Sequence, residues 1–292
     1  MNVHTREKLK VQPSGGAAGA YVTGVDLTRA PDAEEVAALK QALADHLVIA
    51  LPDQKISLDD LERVTDALGG RDLTPFVKPL PDRPYVIRIL KEPGDELNFA
   101  NAWHTDLSYL PAPPNYTLLY CLEAPPSGGD TIWANQYRAL ETLTPDLRDT
   151  LMGLDAVHSA GMAYGDGGYF DHVKHMLSTQ IEPSKDARRE QVHPAVTRHP
   201  DTGKPVLYIN QVYTTRIDGW DKDASDALLR DIHKHSVSEA LTWRLNWAQG
   251  MLAIWDNRST QHFAMNDYHG HRREMVRTSV KGAAPKAARK EA

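Results

Sequence analysis

The chain has 292 residues, of which 41% are hydrophobic and 25% charged, and its formal net charge is −6. These values are typical of a globular protein with a sizeable core, and the length fits one large domain or two small ones. Because the basic residues are dispersed except at the ends, the charge pattern excludes an electrostatic case for nucleic acid or an anionic membrane. We therefore expect the partner to be a small molecule.

Cysteine usage and the first residues bear on location. Cys121 is the only cysteine, which excludes an intrachain disulfide and a metal site built from thiolates alone. The start "MNVHTREKLKVQPSGG" lacks an apolar core of signal-peptide length, and no later stretch reaches about 18 uninterrupted apolar residues. We expect a cytoplasmic protein that is neither exported nor membrane-spanning.

Strands and helices alternate at the beginning of the chain. "AYVTGVDL" predicts a strand, and "PDAEEVAALKQALADHL" predicts a helix because apolar residues recur at helical spacing, at Val36, Leu39, Leu43 and Leu47. "VIALPDQ" predicts a buried strand. Ser57 then begins a second predicted helix, with Asp60 in the capping-box position and Gly69 at its end.

From Tyr85 onward the pattern changes to short strands broken by Pro, Gly and Asp, among them "YVIRIL", "TLLYCLEA", "DTIWAN", "PVLYIN", "MLAIWDN" and "VRTSVKG". Helices are predicted at "TPDLRDTLMGL" and "DKDASDALLRDIHKHS". This order predicts an α+β, mainly β fold, a barrel or jelly roll with helical inserts, and not a doubly wound parallel sheet. Residues 1–282 are expected to form a single domain, and the apolar-poor tail 283–292 is expected to be disordered.

The stretch "NAWHTDLSYLPAPPNY" places His104 and Asp106 on either side of one threonine. In an extended strand, residues i and i+2 point to the same face, so an imidazole nitrogen and a carboxylate oxygen can converge on one point. Such a pair can form two of the three protein ligands of a redox-active ferrous site, and His262 in "WDNRSTQHFA" is the candidate for the third. The same pair is also compatible with an ordinary hydrogen-bonded contact.

Two arginines follow His262 in "HRREMVR". Arg273 and Arg277 are spaced i and i+4, and a guanidinium can make two charge-assisted hydrogen bonds to a carboxylate or sulfonate. A metal site flanked by two such groups indicates recognition of small anions.

The segments "WHTD", "GGDTIWAN", "VHPAVTRHPDTGKPVLYINQVYTTRI" and "IWDNRSTQHFAMNDY", followed by "RREMVR", resemble the taurine dioxygenase (TauD/TfdA) family of Fe(II)- and 2-oxoglutarate-dependent dioxygenases. The resemblance runs from about Val11 to Gly282. It implies a double-stranded β-helix, or jelly roll, with helical inserts. The implied reaction consumes O2, oxidises a substrate C–H bond and releases succinate and CO2.

Site residues follow from the same resemblance. It implies that His104, Asp106 and His262 bind iron, that Thr131 and Arg273 bind the distal carboxylate of 2-oxoglutarate, and that Arg277 binds the anionic end of the primary substrate. Relatives in the family are commonly dimers or tetramers, so a homo-oligomer is expected.

The sequence departs from the taurine enzymes around the expected substrate. Thr74 aligns with a histidine that helps to bind the sulfonate there, and Phe99 and Ala100 replace polar residues near the substrate amine. These substrate-binding candidates favour an anion with an apolar body, such as an aryloxyalkanoate, another carboxylate or an alkyl sulfate, over taurine. Taurine dioxygenase proper stays as the alternative within the family.

Several segments keep more than one interpretation. Residues 158–191 match the family poorly and are either a mobile lid with aromatic walls or an ordinary surface loop. His172 and His175 could bind zinc on a helix but have no third ligand nearby. Three tryptophans are expected in the core, Trp133, Trp243 and Trp247.

Two other function classes remain from the residues alone: a non-catalytic barrel that binds an anion, and a zinc hydrolase with the same triad. The first is disfavoured because all three ligands and both arginines are present. The second is disfavoured because a hydrolase needs no separate co-substrate clamp.

Overall fold

The structure, a computed structural model, describes residues 9–289. The α-helices are α1 (Ala33–His46), α2 (Leu58–Leu68), α3 (Gln136–Glu141), α4 (Pro145–Met152), α5 (Gly161–Tyr164), α6 (Tyr169–Val173) and α7 (Lys222–Ser236). Short 3-10 helices span Lys174–Met176, Lys185–Arg188 and Glu239–Leu241.

Strands make up most of the remaining regular structure. They are β1 (Lys10–Pro13), β2 (Ala20–Thr23), β3 (Val48–Leu51), β4 (Arg71–Asp72), β5 (Pro79–Leu80), β6 (Arg83–Lys91), β7 (Tyr116–Glu123), β8 (Thr131–Asn135), β9 (Asp155–Ser159), β10 (Glu190–Pro194), β11 (Val196–Arg198), β12 (Pro205–Leu207), β13 (Thr214–Ile217), β14 (Thr242–Leu245), β15 (Leu252–Asp256), β16 (Thr260–Ala264) and β17 (Arg273–Val280).

The largest sheet, here called the major sheet, has the order β1-β2-β3-β15-β7-β17-β6-β5, with β4 pairing to β17. Its neighbours are antiparallel except for β2 and β3. Successive side chains of β3 alternate between two cores, as the period of a strand requires: Ile49 packs on one side and Ala50 on the other. Helices α1 and α2 cover the first side, and the Ser57 capping box predicted for α2 is present.

A second sheet, here called the minor sheet, has the order β14-β8-β16 and is antiparallel throughout. Its inner face packs on the major sheet through large side chains such as Trp133 and Trp243, which meet Trp255 and Met275. Two facing, mainly antiparallel sheets with helices outside them confirm the predicted α+β, mainly β jelly roll. The Trp133 ring lies 5.5 Å from the Trp255 ring, so the core is filled by aromatic rings directly behind the site described below.

A third group of elements packs beside this sandwich. Strands β9, β10 and β13 form a small sheet, β11 pairs with β12, and helices α3, α4 and α7 share a core with them. These elements correspond to the predicted helical inserts.

The expected disorder of the tail is wrong for the part of it that the structure describes, up to Arg289. The Arg198 amide donates to the Lys286 carbonyl over 2.8 Å, and the Ala288 amide donates to the Val196 carbonyl over 3.1 Å. Ala288 is 2% exposed. The tail is held by backbone hydrogen bonds to the edge of β11, which its apolar-poor composition does not reveal. Residues 290–292 lie outside the described part.

Within residues 9–289, no helix combines the length and the apolar content that crossing a membrane requires.

A buried charge network closes the turn between β15 and β16, which carries the chain to His262. Asp256 is 1% exposed and contacts Arg258, whose Nη2 lies 2.6 Å from its Oδ2, and His199, whose Nε2 lies 3.0 Å from the same oxygen. Burial raises the pKa of Asp256, but Arg258 and His199 outweigh it and lower this pKa to about 2. His199 therefore has a structural role here.

We predict that Arg258→Met lowers the free energy of unfolding by about 3 kcal/mol, because the Asp256 carboxylate stays buried without its main counter-charge. Urea denaturation at pH 7 measures this difference.

The matched control is Arg216→Met, which removes an arginine from an exposed pair with Glu190 whose side chains are 44% and 48% exposed. It is expected to cost less than about 1 kcal/mol. Equal losses in the two variants would contradict the assignment of the Asp256 network as the stabilising element of this turn.

Candidate metal centre and adjoining cavity

His104 and His262 are joined by their backbones. The His104 amide donates to the His262 carbonyl over 3.1 Å, and the His262 amide donates back over 2.8 Å, in an antiparallel bridge outside the named strand pairs. The ring centroids lie 4.1 Å apart. Two residues directly opposite each other on antiparallel strands hold their side chains on one face, so this bridge closes the gap in sequence between the two histidines.

Asp106 completes the group. Its Oδ1 lies 3.6 Å from His104 Nε2 and 3.9 Å from His262 Nε2. One ligand atom from each of the three residues falls within 4.8 Å of the others, and all three residues are buried. The structure thus brings together the three metal ligands expected from the sequence, in an arrangement that leaves one side open.

Hydrogen bonds fix how two of these side chains point. His104 Nδ1 lies 2.7 Å from the Ala102 carbonyl oxygen, which accepts its proton and leaves the Nε2 lone pair free. Thr117 Oγ1 donates to Asp106 Oδ2 over 2.8 Å, and Asn257 Nδ2 donates to Thr117 Oγ1 over 2.9 Å. This orients Oδ1 of Asp106 toward the histidines. Sequence reasoning missed Thr117, which sits in a buried apolar strand and gives no periodic signal.

Protonation states in the group suit a cation. Burial raises the pKa of Asp106, but Arg277 and the two histidines outweigh it, so the carboxyl pKa is lowered and the carboxylate form prevails. Burial, helped by His104, holds the pKa of His262 well below its ordinary value, which keeps its imidazole neutral. A carboxylate and a neutral imidazole are the forms that bind metal, so these residues fit iron(II) without a proton being displaced at His262.

A second group with metal-like spacing consists of His199, Asp201 and Asp256. His199 Nδ1 accepts the backbone amides of Asp201 and Thr202, and its Nε2 faces Asp256, which also contacts Arg258. Because its donor atoms are already engaged, this group does not fit a metal. Among the described residues, the two groups with metal-like spacing do not include His172 or His175. A zinc site at that helix therefore has no support.

Arg273 lies at the start of β17 and is 4% exposed. Its Nε and Nη2 have no hydrogen-bond partner, and burial lowers its pKa. The guanidinium lies 5.7 Å from the Trp247 ring, and Trp247 Nε1 donates to Thr131 Oγ1 over 2.9 Å. Trp247 therefore connects the two residues expected to bind one carboxylate. Trp247 packs in the core, as expected, but no sequence pattern indicates the contact between its indole N–H and Thr131.

Arg277 lies on the same face of β17, four residues further along. Its Nη2 forms an ion pair with Asp106, 3.0 Å from Oδ1, although the angle is not that of a hydrogen bond. Its Nε has no hydrogen-bond partner. At the rise of a strand, Arg273 and Arg277 are spaced by ~13 Å. The two guanidiniums therefore lie at separate points along β17, and only Arg277 is paired with a metal-ligand candidate.

A cavity of about 410 Å³ opens beside His104. Its walls are mainly apolar and aromatic, and they include Phe99 and Ala100, as the sequence predicted. Thr74 is not among the described residues that line it; its Oγ1 is buried without a partner in the loop between β4 and β5. Of the four predicted substrate-binding residues, two therefore line the cavity, whereas Thr74 and Arg277 do not; Arg277 lies instead beside Asp106.

The segment 158–191 forms the outer wall of this cavity through α5 and α6. Its contributions are Met162, Ala163, Tyr164, Tyr169 and Phe170. The Phe170 ring stacks on Phe99 at 5.6 Å, so the wall contacts the body of the protein, while Met162 is 75% exposed at the rim. The expected aromatic walls are present; movement of this segment stays a prediction.

Comparisons with known proteins agree with this geometry. The family model described as "Taurine catabolism dioxygenase TauD, TfdA family" matches residues 10–279. An alpha-ketoglutarate-dependent sulfate ester dioxygenase from Pseudomonas putida is 34% identical over 95% of this chain and 91% of its own. An alkylsulfatase from Acinetobacter baylyi is 31% identical over 94% of this chain and 86% of its own.

Among solved structures, a taurine dioxygenase from Burkholderia xenovorans superimposes with a TM-score of 0.78 and 30% identity, over 95% of this chain and 92% of that chain. The matches cover nearly the whole chain, and the matched fold is a jelly roll that brings two histidines and an aspartate together. The chain belongs to the TauD/TfdA family, and it is an iron(II)- and 2-oxoglutarate-dependent dioxygenase that uses O2.

Proposed function

We propose that this enzyme oxidises the C–H bond next to the ester oxygen of alkyl sulfates with an apolar chain. The observation that carries the proposal is the placement of a buried, incompletely bonded Arg277 beside Asp106, next to a cavity of about 410 Å³ with apolar and aromatic walls. An anionic head fits the guanidinium, and an apolar chain fits the cavity.

His104, Asp106 and His262 would hold the iron. Iron in this site supplies, with 2-oxoglutarate and O2, the power to oxidise an unactivated C–H bond. The protein contributes position: Thr117 and the Ala102 carbonyl fix Asp106 and His104, and the Trp133 and Trp255 rings pack against His262 and keep water from that side.

The proposed reaction uses both oxygen atoms of O2. One oxygen atom of O2 enters succinate as 2-oxoglutarate loses CO2, and the other becomes a hydroxyl on the carbon that bears the sulfate. That carbon then releases the sulfate anion, and its hydroxyl proton is lost as the aldehyde forms. The products are an aldehyde, sulfate, succinate and CO2.

The two arginines divide the anions between them. Arg273, with Thr131 and Trp247, would hold the distal carboxylate of 2-oxoglutarate, because its free Nε and Nη2 lie in a buried position away from Asp106. Arg277 would hold the sulfate of the substrate. A second buried guanidinium with an unbonded donor is unexplained in a zinc hydrolase, and the grouped ligands His104, Asp106 and His262 are unexplained in a non-catalytic anion-binding barrel. Both observations support the dioxygenase over the alternatives.

The names of two relatives point to the same substrate class. The Pseudomonas putida protein is a sulfate ester dioxygenase and the Acinetobacter baylyi protein an alkylsulfatase. Phe99 and Ala100 in the cavity wall offer no charged partner for the amine of taurine. Alkyl sulfates are therefore preferred over taurine and over aryloxyalkanoates in this proposal.

We also infer a cytoplasmic homo-oligomer, a dimer or a tetramer, with no nucleic-acid or membrane partner. The support is the net charge of −6, the single buried thiol of Cys121 and the oligomers common among family members. Light scattering of the purified protein measures the oligomeric state.

We predict that Asp106→Ala abolishes both metal binding and succinate release, because the site loses its only carboxylate. A calorimetric titration with Mn(II) should show about one ion bound per chain in the wild type and none in the variant. Asp201→Ala, in the second group with metal-like spacing, is the matched control and should bind as the wild type does. Full binding by Asp106→Ala would refute the iron assignment.

We predict that Arg277→Ala raises the KM for the alkyl sulfate ~100-fold and leaves the KM for 2-oxoglutarate within a factor of about three. Arg273→Ala should do the reverse. The neighbouring Arg272, which pairs with Glu92 and Glu274 on the outer side, provides the control, and Arg272→Ala should change neither KM. Equal effects of Arg277→Ala on both KM values would mean that the two arginines are misassigned.

The substrate class is tested by succinate release from the iron-loaded enzyme in air with octyl sulfate, taurine, hexanesulfonate and 2,4-dichlorophenoxyacetate. We expect the kcat/KM for octyl sulfate to exceed that for taurine by at least tenfold, with aldehyde and sulfate formed in equal amounts. A preference for taurine would overturn the proposal, whereas a preference for the aryloxyacetate would replace the sulfate ester with a carboxylate.

A further inference from the structure

Tyr109 is a buried tyrosine whose packing contacts are made by its ring and not by its hydroxyl. It lies three residues after Asp106 and is 5% exposed. Its ring packs at 4.8 Å against Tyr213 and at 5.8 Å against Phe76. A phenylalanine would make these contacts equally well, so the hydroxyl needs a separate explanation.

That hydroxyl is buried and has no hydrogen-bond partner. An unsatisfied buried hydroxyl destabilises a fold, and most such groups in proteins find a partner. Tyr120 shows the ordinary case in this same chain, since its hydroxyl donates to the Gln54 carbonyl over 2.7 Å. The missing acceptor for Tyr109 is therefore a specific feature of its position.

The surroundings indicate what the acceptor is. Tyr109 packs on Tyr213, whose ring lies 6.1 Å from the His104 ring and lines the cavity, so Tyr109 lies behind the metal centre, one ring away from His104. Burial raises the pKa of Tyr109 well above its ordinary value, so the hydroxyl keeps its proton and can only donate it or accept from another donor. Arg277 Nη2 forms an ion pair with Asp106, but Arg277 Nε has no hydrogen-bond partner. Tyr109 and Arg277 thus each have an unbonded donor close to the metal-ligand candidates, and an anion bound between them would satisfy both.

Two other tyrosines nearby differ from Tyr109. Tyr164 and Tyr213 line the cavity, and their hydroxyls are close enough for each to shift the pKa of the other. Neither hydroxyl is among the buried polar atoms without a partner in the described chain. Of the three tyrosines, Tyr109 has the donor that is left over.

We propose that the Tyr109 hydroxyl binds the anionic head of the substrate together with Arg277 and selects a tetrahedral head with three terminal oxygens. A guanidinium fork satisfies two oxygens of an anion in one plane. A third donor from another element suits the third oxygen of a sulfate ester or sulfonate, which a planar carboxylate lacks. This inference rests on the proposed function and deepens it, because it names a residue that separates sulfate esters from carboxylates.

The experiment compares Tyr109→Phe with the wild type, both loaded with iron(II) and 2-oxoglutarate. We expect the KM for octyl sulfate to rise about tenfold or more, as loss of one hydrogen bond to a charged group does. The KM for 2-oxoglutarate should stay unchanged. The Tm should stay the same or rise, because the variant removes an unsatisfied hydroxyl and keeps the ring.

Tyr120→Phe is the matched control. It removes a hydroxyl that has a partner, and Tyr120 packs on the opposite side of the major sheet from Leu119, the residue that pairs with Arg277. Its Tm should therefore fall while the KM for octyl sulfate stays unchanged. A higher KM with an unchanged or higher Tm in Tyr109→Phe, together with a lower Tm and an unchanged KM in Tyr120→Phe, indicates a binding role for Tyr109 and not a structural one.

Binding without turnover gives a second measurement. Calorimetry of octyl sulfate against the Mn(II) and 2-oxoglutarate complex, in the absence of O2, should show the same tenfold weakening in Tyr109→Phe, and octanoate should be weakened less than threefold. Octyl sulfate binding that changes less than twofold overturns the inference, as does equal weakening of octanoate. If the wild type is stimulated only by carboxylates, the proposed sulfate ester function fails first, and that result is visible before any variant is compared.

Discussion

The backbone bridge between His104 and His262 is the constraint on which the functional centre depends. It consists of two hydrogen bonds of 3.1 and 2.8 Å between segments that are distant in sequence. Because these bonds set the register, they also decide which face each side chain occupies, and a slip by one residue would turn both imidazoles away from Asp106. The jelly roll serves the chemistry by holding β16 against the segment that carries His104, while the Trp133 and Trp255 rings support His262 from behind.

The site contains groups that are unfavourable without ligands. Arg273 and Arg277 are each 4% exposed and have nitrogens without hydrogen bonds, and Tyr109 has a buried hydroxyl in the same condition. Burial of such groups destabilises the ligand-free fold, so the surrounding core has to compensate. Binding of 2-oxoglutarate and of an anionic substrate would satisfy these donors. The same physical feature therefore accounts for a cost in stability and supports the proposed binding of two anions.

Much of this centre could be predicted from the sequence, and the exceptions share a cause. The ligands His104, Asp106 and His262 were recognisable because their residue types and motifs are unusual, and the mainly β fold followed from the short strands. Thr117 was missed because its hydroxyl acts from within the apolar strand β7, where periodicity indicates only burial. The hydrogen bond from Trp247 to Thr131 was missed because Trp247 lies in a loop, which has no periodic signal. The order of the tail was missed because backbone hydrogen bonds to β11 do not depend on side-chain composition.

The major sheet and the segment 158–191 contribute different parts of the site. Both arginines lie on β17, which pairs with β6 and β7 at the centre of the major sheet, so the anion sites are set by a rigid element. The outer cavity wall instead comes from α5 and α6, whose Met162 and Tyr169 remain exposed at the rim. Changes in this insert can alter the accepted chain without moving the guanidiniums. In the proposed function, head-group recognition by β17 and chain-length preference set by residues 158–191 are therefore separable.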